Sequence, residues 1–207
     1  MLYPRVGPGP FRASQLRDGD RYELSDGHAI HCPPASLRRG QASLTGAGVI
    51  DSDPAVPGVA ANVGIAFNND RNLRAPDIIV TADAPPQPGW LDVAPPLAVE
   101  YVEPGHDEVD LSAKISELLA FGVRYFWVVR LTDPVRVEVH TQGEPVQIVD
   151  ADETLTAPGV LQNPLPVRAV VDPVAARPVM LHNLLQRRGY ASFAEFQAEH
   201  AAAQTRR

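Results

Sequence analysis

The sequence reads as a folded α/β protein, and three observations carry that reading. Hydrophobic residues make up 44% of the 207 positions and charged residues 21%, which suits one substantial domain with a core of its own. Apolar runs of strand length stand at 77–80, 97–102 and 123–131, and the last two are separated by a segment with helical spacing. Finally, two alternating segments, 135–140 and 146–149, flank a turn at Gly143 and predict a hairpin.

Taken in order, residues 1–20 carry Gly7-Pro8-Gly9-Pro10 and the polar turn Asp18-Gly19-Asp20, which predict a loosely attached arm. Arg21 to Asp26-Gly27 alternates into an Asp-Gly turn before Ala29-Ile30-His31, the pattern of a hairpin. Between 33 and 70, Gly40, Gly46, Gly48, Pro54, Pro57 and Gly58 break the segment repeatedly and leave it without a clear periodic pattern. A strand is expected from Ala60 to Phe67. Asp77-Ile78-Ile79-Val80 reads as a buried strand, and a loop containing Pro85, Pro86, Pro88, Gly89, Pro95 and Pro96 leads to the strand Leu97–Val102. Asp107 to Asp110 can cap a helix from about Leu111 to Phe121, with Leu111, Ile115, Leu118 and Leu119 on its apolar face and Gly122 as its stop. After Pro173 the character becomes helical, with Leu181, Leu184 and Leu185 in one helix and a capping box at Ser192–Glu195 opening another. The organisation expected is an arm at 1–20, a central domain at 21–173 and a helical appendage at 174–207.

Composition narrows the chemistry. The net charge is -7, so contact with nucleic acid would have to use a local basic patch and not the global field. The single cysteine, Cys32, leaves no internal disulfide and no multi-cysteine zinc site. No apolar run approaches the roughly 18 residues of a membrane span, and Met1-Leu2-Tyr3-Pro4-Arg5 does not read as a signal peptide. A cytoplasmic protein without membrane contact is expected. Of the 18 basic residues one alone is lysine, Lys114. Where arginine is the default, a sole lysine points to a position that needs a compact ammonium.

Three ionisable residues fall where the pattern predicts burial. Asp77 opens one apolar strand, Glu100 shares a strand face with Ala98 and Val102, and Lys114 borders the apolar face of the following helix. Each has a plainer explanation as well: Asp77 as a strand start after Pro76, Glu100 satisfied by hydrogen bonds, Lys114 with its stem on the surface and its head in water. Together, two buried carboxylates and a lysine suit a hard divalent cation with a charge stabiliser beside it. Arg38-Arg39, Arg71 with Arg74, and Arg187-Arg188 are candidate phosphate contacts or ordinary solvated pairs. His106, near the same loop, is a candidate substrate contact or a solvated histidine.

Pro76-Asp77, with Glu100 on a later strand, resembles the motif of the PD-(D/E)XK nuclease superfamily. The run Leu97-Ala98-Val99-Glu100-Tyr101-Val102-Glu103-Pro104, then Lys114, Gly122-Val123 and Tyr125-Phe126-Trp127-Val128-Val129, resembles the Uma-type restriction endonucleases. Arg21-Tyr22-Glu23-Leu24, with Asp26-Gly27 after it, resembles the same family's opening signature, and the resemblance spans roughly residues 20–172. It implies a restriction-endonuclease-like α/β fold, a mixed central β-sheet flanked by helices. It also implies Mg²⁺ or Mn²⁺ held by Asp77, Glu100 and the Tyr101 carbonyl, with Lys114 orienting water or stabilising charge. Glu23 would be an accessory acid near the metal or the partner of an arginine. Val102 stands where the superfamily usually places its lysine, and Glu103 replaces the serine before the proline. The activity implied is metal-dependent phosphodiester hydrolysis on DNA. The family's first long helix would fall near 36–48, where Gly40, Gly46 and Gly48 make it short or absent. Leu181, Leu184, Leu185, Phe193 and Phe196 of the appendage predict self-association, in the simplest case a dimer, or partner docking. The alternative is a nuclease-fold protein that no longer cleaves and serves as a binding or assembly module.

Overall fold

The computed structural model describes residues 9–81 and 89–205; residues 1–8, 206–207 and 82–88, which include Pro85, Pro86 and Pro88, lie outside it. The chain forms β1 (Tyr22–Ser25), β2 (His28–His31), α1 (Leu37–Ser52), β3 (Gly58–Ala61), β4 (Ile65–Phe67), β5 (Asn72–Arg74), β6 (Ile78–Thr81) and β7 (Leu97–Val102). It continues with α2 (Glu108–Phe121), β8 (Tyr125–Arg130), β9 (Arg136–His140), β10 (Gln147–Asp150), β11 (Thr154–Leu155), β12 (Leu165–Pro166), α3 (Pro173–Arg187) and α4 (Phe193–Thr205). The main sheet runs in the order β10-β9-β8-β7-β6-β3. Its pairings are antiparallel except β7 with β8, which run parallel because α2 carries the chain back between them. This is the mixed sheet flanked by helices that the family resemblance implies. A second sheet, β2-β1-β5-β4, sits beside it.

Period-two alternation builds the two faces. Ile78, Val80, Val99, Tyr101, Trp127 and Val129 join Ala42, Val49 and Ile50 of α1 in one core. Ile79, Ala98, Val102, Phe126 and Val128 turn the other way and meet Leu111, Ile115 and Leu118 of α2. Burying each such side chain contributes about 1.5–3 kcal/mol. The ends of α2 follow from its sequence. Asp107 accepts hydrogen bonds from the Val109 and Asp110 amides, and Gly122 closes the helix at φ 122°, where a side chain would be strained.

Three expectations are corrected. The glycine-rich segment forms the 16-residue α1, capped by Ser36 accepting from the Arg39 amide at 3.1 Å. Two of its three glycines face packed neighbours: a methyl group on Gly46 would overlap the Tyr101 hydroxyl, and one on Gly48 would touch Met180 of α3. The single strand expected at 60–67 is two strands in different sheets, separated at Asn62, which has a positive φ of 54°. The arm, where described, is docked: Ala13 is fully buried, its amide donates to the Asp70 carbonyl at 2.7 Å, and its carbonyl accepts from the Trp90 indole at 3.0 Å. Beyond residue 173, α3 is seated on α1. Ala176 of α3 joins the main core, Asn183 is buried, and the Arg187 guanidinium donates to the carbonyls of Asp51, Asp53 and Val56 at 2.6–2.7 Å. The C-terminal helices expected from the sequence are present as α3 and α4, and α3 supplies contacts to the core of the domain.

Candidate active site

The site lies where the two sheets meet. β5 passes into β6 through Ala75 and Pro76, so Asp77 stands at the start of β6 beside the carboxyl end of β7. The β6–β7 register pairs Ile78 with Val99 and Ile79 with Ala98; one step further sets Asp77 opposite Glu100. Directly opposed residues of an antiparallel pair share a face, here the face covered by α2. Lys114, nearly two turns into that helix, points into the same space. All three side chains are buried, at 6%, 3% and 5% exposure for Asp77, Glu100 and Lys114.

The contacts divide the acids between two cations. Lys114 Nζ donates to Glu100 Oε2 at 2.8 Å, to Glu23 Oε1 at 3.0 Å and to the Ala75 carbonyl at 3.1 Å. Arg39, from the first turn of α1, donates from one nitrogen, Nη2, to Asp77 Oδ1 at 2.9 Å and to Glu100 Oε1 at 2.8 Å. The Tyr101 amide fixes Asp77 by donating to Oδ2 at 2.7 Å. Behind Glu23 lies Arg74, whose side chain is completely buried. It bonds Glu117 at 2.6 Å, Asp110 at 2.9 Å and Glu23 at 3.3 Å. Glu117 in turn accepts from the Ser25 hydroxyl. Glu23 is therefore the partner of both Lys114 and Arg74, tying the small sheet to α2.

Electrostatics follow from burial and from a shortage of cations. Glu23, Asp77, Glu100, Asp110 and Glu117 face only Arg39, Arg74 and Lys114 in these ion pairs. Five carboxylates against three cations leave two uncompensated negative charges when all are ionised. Burial pushes the Glu100 carboxyl up, to about 7, with Asp77 and Glu23 adding to the rise and Lys114 opposing it. Burial also works against the Lys114 ammonium, but Glu100 and Glu23 outweigh it and hold the pKa above the ordinary lysine value. These two directions pull against each other, since one disfavours the Glu100 charge and the other depends on it. We take the pair as ionised, because each Glu100 oxygen faces a cation at 2.8 Å. His106, half-buried on the loop after β7, is held below the usual histidine value by burial, then by Arg39 and Lys114.

Two arginines near the centre were read from sequence only as members of surface pairs. Arg39 lies between the two acids and Arg74 is a buried hub; neither is a solvated phosphate contact. Arg71 pairs with Asp26 at 2.8 Å, and Arg187 caps the end of α1. The signal that could have separated Arg74 from its neighbours is its place in Asn72-Leu73-Arg74, a strand buried at every position.

The sequence matches the family described as putative restriction endonucleases (Uma2) over residues 10–168. The chain belongs to this family. Its match covers both sheets, α1 and α2, and ends before α3. A solved structure described as a putative nuclease belonging to DUF820, from Anabaena variabilis ATCC 29413, is similar in fold, with a TM-score of 0.68 at 16% identity. The likeness covers 80% of this chain and 99% of that one. No curated protein matches.

Whether a metal suits this Uma2 site is a question of donors. Among the described residues, no group of three or more His, Cys, Asp or Glu side chains is placed to hold a metal by themselves. Mg²⁺ does not need such a cage: one or two carboxylates suffice, and it keeps several waters. Asp77 and Glu100 each present one oxygen to a single point, now filled by a guanidinium nitrogen, and the surrounding charge is negative. The donor set fits a hard divalent cation. No helix among the described residues is long and apolar enough to cross a membrane.

Proposed function

We propose that this Uma2 protein is a divalent-metal-dependent DNA endonuclease, with Asp77 and Glu100 holding Mg²⁺ or Mn²⁺ and the Tyr101 carbonyl as a further donor. The observation that carries the reading is the convergence of Asp77 Oδ1 and Glu100 Oε1 on one cationic nitrogen, at 2.9 and 2.8 Å. When bound, the metal would polarise the scissile phosphate and lower the pKa of the attacking water.

The chain's own residues do the rest. Glu23, Glu100 and the Ala75 carbonyl hold Lys114 Nζ at three points, which fixes the ammonium in place. Its raised pKa keeps it charged at neutral pH, so it stabilises negative charge and orients water but does not accept a proton. Glu23 is a positioning residue, acting through Lys114. The active form is a homodimer, so that two such sites can address the two strands.

The test is cleavage of plasmid and linear DNA with and without Mg²⁺ or Mn²⁺. Cleavage should need the metal and fall by more than about 100-fold in Asp77→Asn and Glu100→Gln. Metal-independent cleavage, or variants that cut like the parent, would rule the site out. One observation favours a second reading, a nuclease-fold protein that binds without cutting: Arg39 already bonds both acids. Under that reading DNA binding persists and no metal restores cleavage.

A further inference from the structure

The position of Arg39 is unexplained by either sheet. Its guanidinium makes four contacts to the acidic pair: Nη2 to Asp77 Oδ1, Asp77 Oδ2 and Glu100 Oε1, and Nε to Asp77 Oδ2, all between 2.8 and 3.2 Å. It arrives from α1, which packs on the opposite face of the sheet from α2, the helix that supplies Lys114. Its side chain is 22% exposed, against 8% for Asp77 and 3% for Glu100. Arg39 therefore stands between the acids and solvent, and its nitrogen fills the point that both carboxylates address.

Two cations cannot share that point. A metal taking up the point that Asp77 Oδ1 and Glu100 Oε1 both face would meet Nη2 there, and the like charges would repel. Lys114 presents no such conflict, since it uses the other oxygen, Oε2, of Glu100. We infer that Arg39 is a built-in competitor for the divalent cation: the acidic pair holds either the guanidinium or the metal, and loading requires Arg39 to swing out toward solvent. The inference rests on the metal-site reading above. The consequence is quantitative. Metal meets a competent site only in the fraction of molecules with Arg39 displaced, and its apparent affinity is weakened by that fraction.

The arrangement suits the exchange. Arg39 lies one turn from the N-cap Ser36, whose hydroxyl bonds Glu103 at 2.9 Å, so α1 need not unwind for the side chain to rotate. Four flexible side-chain torsions separate the guanidinium from the backbone, and the solvent side is open to it. Asp77 stays put during such a swing, because the Tyr101 amide holds Oδ2 independently of Arg39.

Two measurements on the full chain test the inference. Calorimetric titration with Mn²⁺ compares the parent with Arg39→Gln, which keeps most of the side-chain volume and removes the charge. The variant should bind about tenfold tighter or more. In the parent, the Arg39 Nε–H resonance should lose its carboxylate-bonded shift and slow exchange on addition of Mg²⁺; this readout needs no variant to fold. Equal or weaker Mn²⁺ binding by Arg39→Gln, or an Arg39 resonance unmoved at saturating Mg²⁺, overturns the competition while leaving the metal site standing. If neither protein binds Mn²⁺, the metal-site reading fails and the competition with it.

Discussion

Lys114 shows how much one residue can be asked to do. It is the chain's sole lysine, it is buried, and it joins two carboxylates from different sheets. The sequence pattern marked it as bordering an apolar face; what it touches makes it a structural clamp as well as a proposed charge stabiliser. Removing the ammonium strands two buried carboxylates. Lys114→Ala should therefore lose about 3–5 kcal/mol in urea unfolding, and a loss of activity in that variant would not by itself establish a catalytic role. Lys114→Met retains the volume and discards the charge. It should lose a similar amount; recovery to parental stability would mean that packing, not pairing, is what Lys114 supplies. Asp77 and Glu100 were visible as candidates for the same reason as Lys114: a charge in an apolar run stands out. Arg39 was not, because arginines near a helix start are common and nothing in the local sequence distinguishes this one from Arg38.

At the scale of elements, α1 is the instructive case. Three glycines in a short stretch predict a broken helix, since each costs about 1 kcal/mol relative to alanine. The helix forms because its glycines allow close approach to the sheet and to α3. They are not equivalent. Gly40 meets open space, whereas Gly46 sits under the Tyr101 hydroxyl, which donates to the Val170 carbonyl at 2.9 Å. Gly40→Ala should raise stability by about 0.5–1 kcal/mol. Gly46→Ala should lower it by about 1–3 kcal/mol, as overpacking does. Thermal unfolding of the two variants side by side decides the matter: if both are stabilised, the close approach at Gly46 is not what selects glycine. By contrast, β7, α2, β8 and the β9–β10 hairpin were legible from the chain alone. Their caps, turns and alternation are local, and local chemistry is what sequence displays.

For the whole molecule, the boundary near residue 173 carries the consequences. Truncation after Asp172 removes α3, exposes the α1 surface that Ala176 covers, and leaves the Asp51, Asp53 and Val56 carbonyls without Arg187. That product should be unfolded by circular dichroism. Truncation after Gly189 removes only α4 and should keep the parental melting temperature within a few degrees. If the dimer proposed above uses the exposed Phe193 of α4, the second product should also sediment as a smaller species. An Asp172 truncation that folds would show α3 to be dispensable after all.

What the sequence determined by itself was the fold class, most of the central strands, α2 with its stop at Gly122, and the buried positions of two acids and a lysine. These depend on periodicity and on the contrast between a charge and its apolar neighbours, both readable within a few residues. Only the tertiary structure decided how the charges pair. Arg39 reaches Asp77 across 38 positions and Glu100 across 61, and Glu23 meets Lys114 across 91. Such partners are chosen by how two sheets and two helices are set against one another, and no local pattern encodes that choice. The same holds for α1 and α3: glycines that weaken a helix in isolation permit the contact that stabilises it, because the gain arises only once the opposing surface is in place.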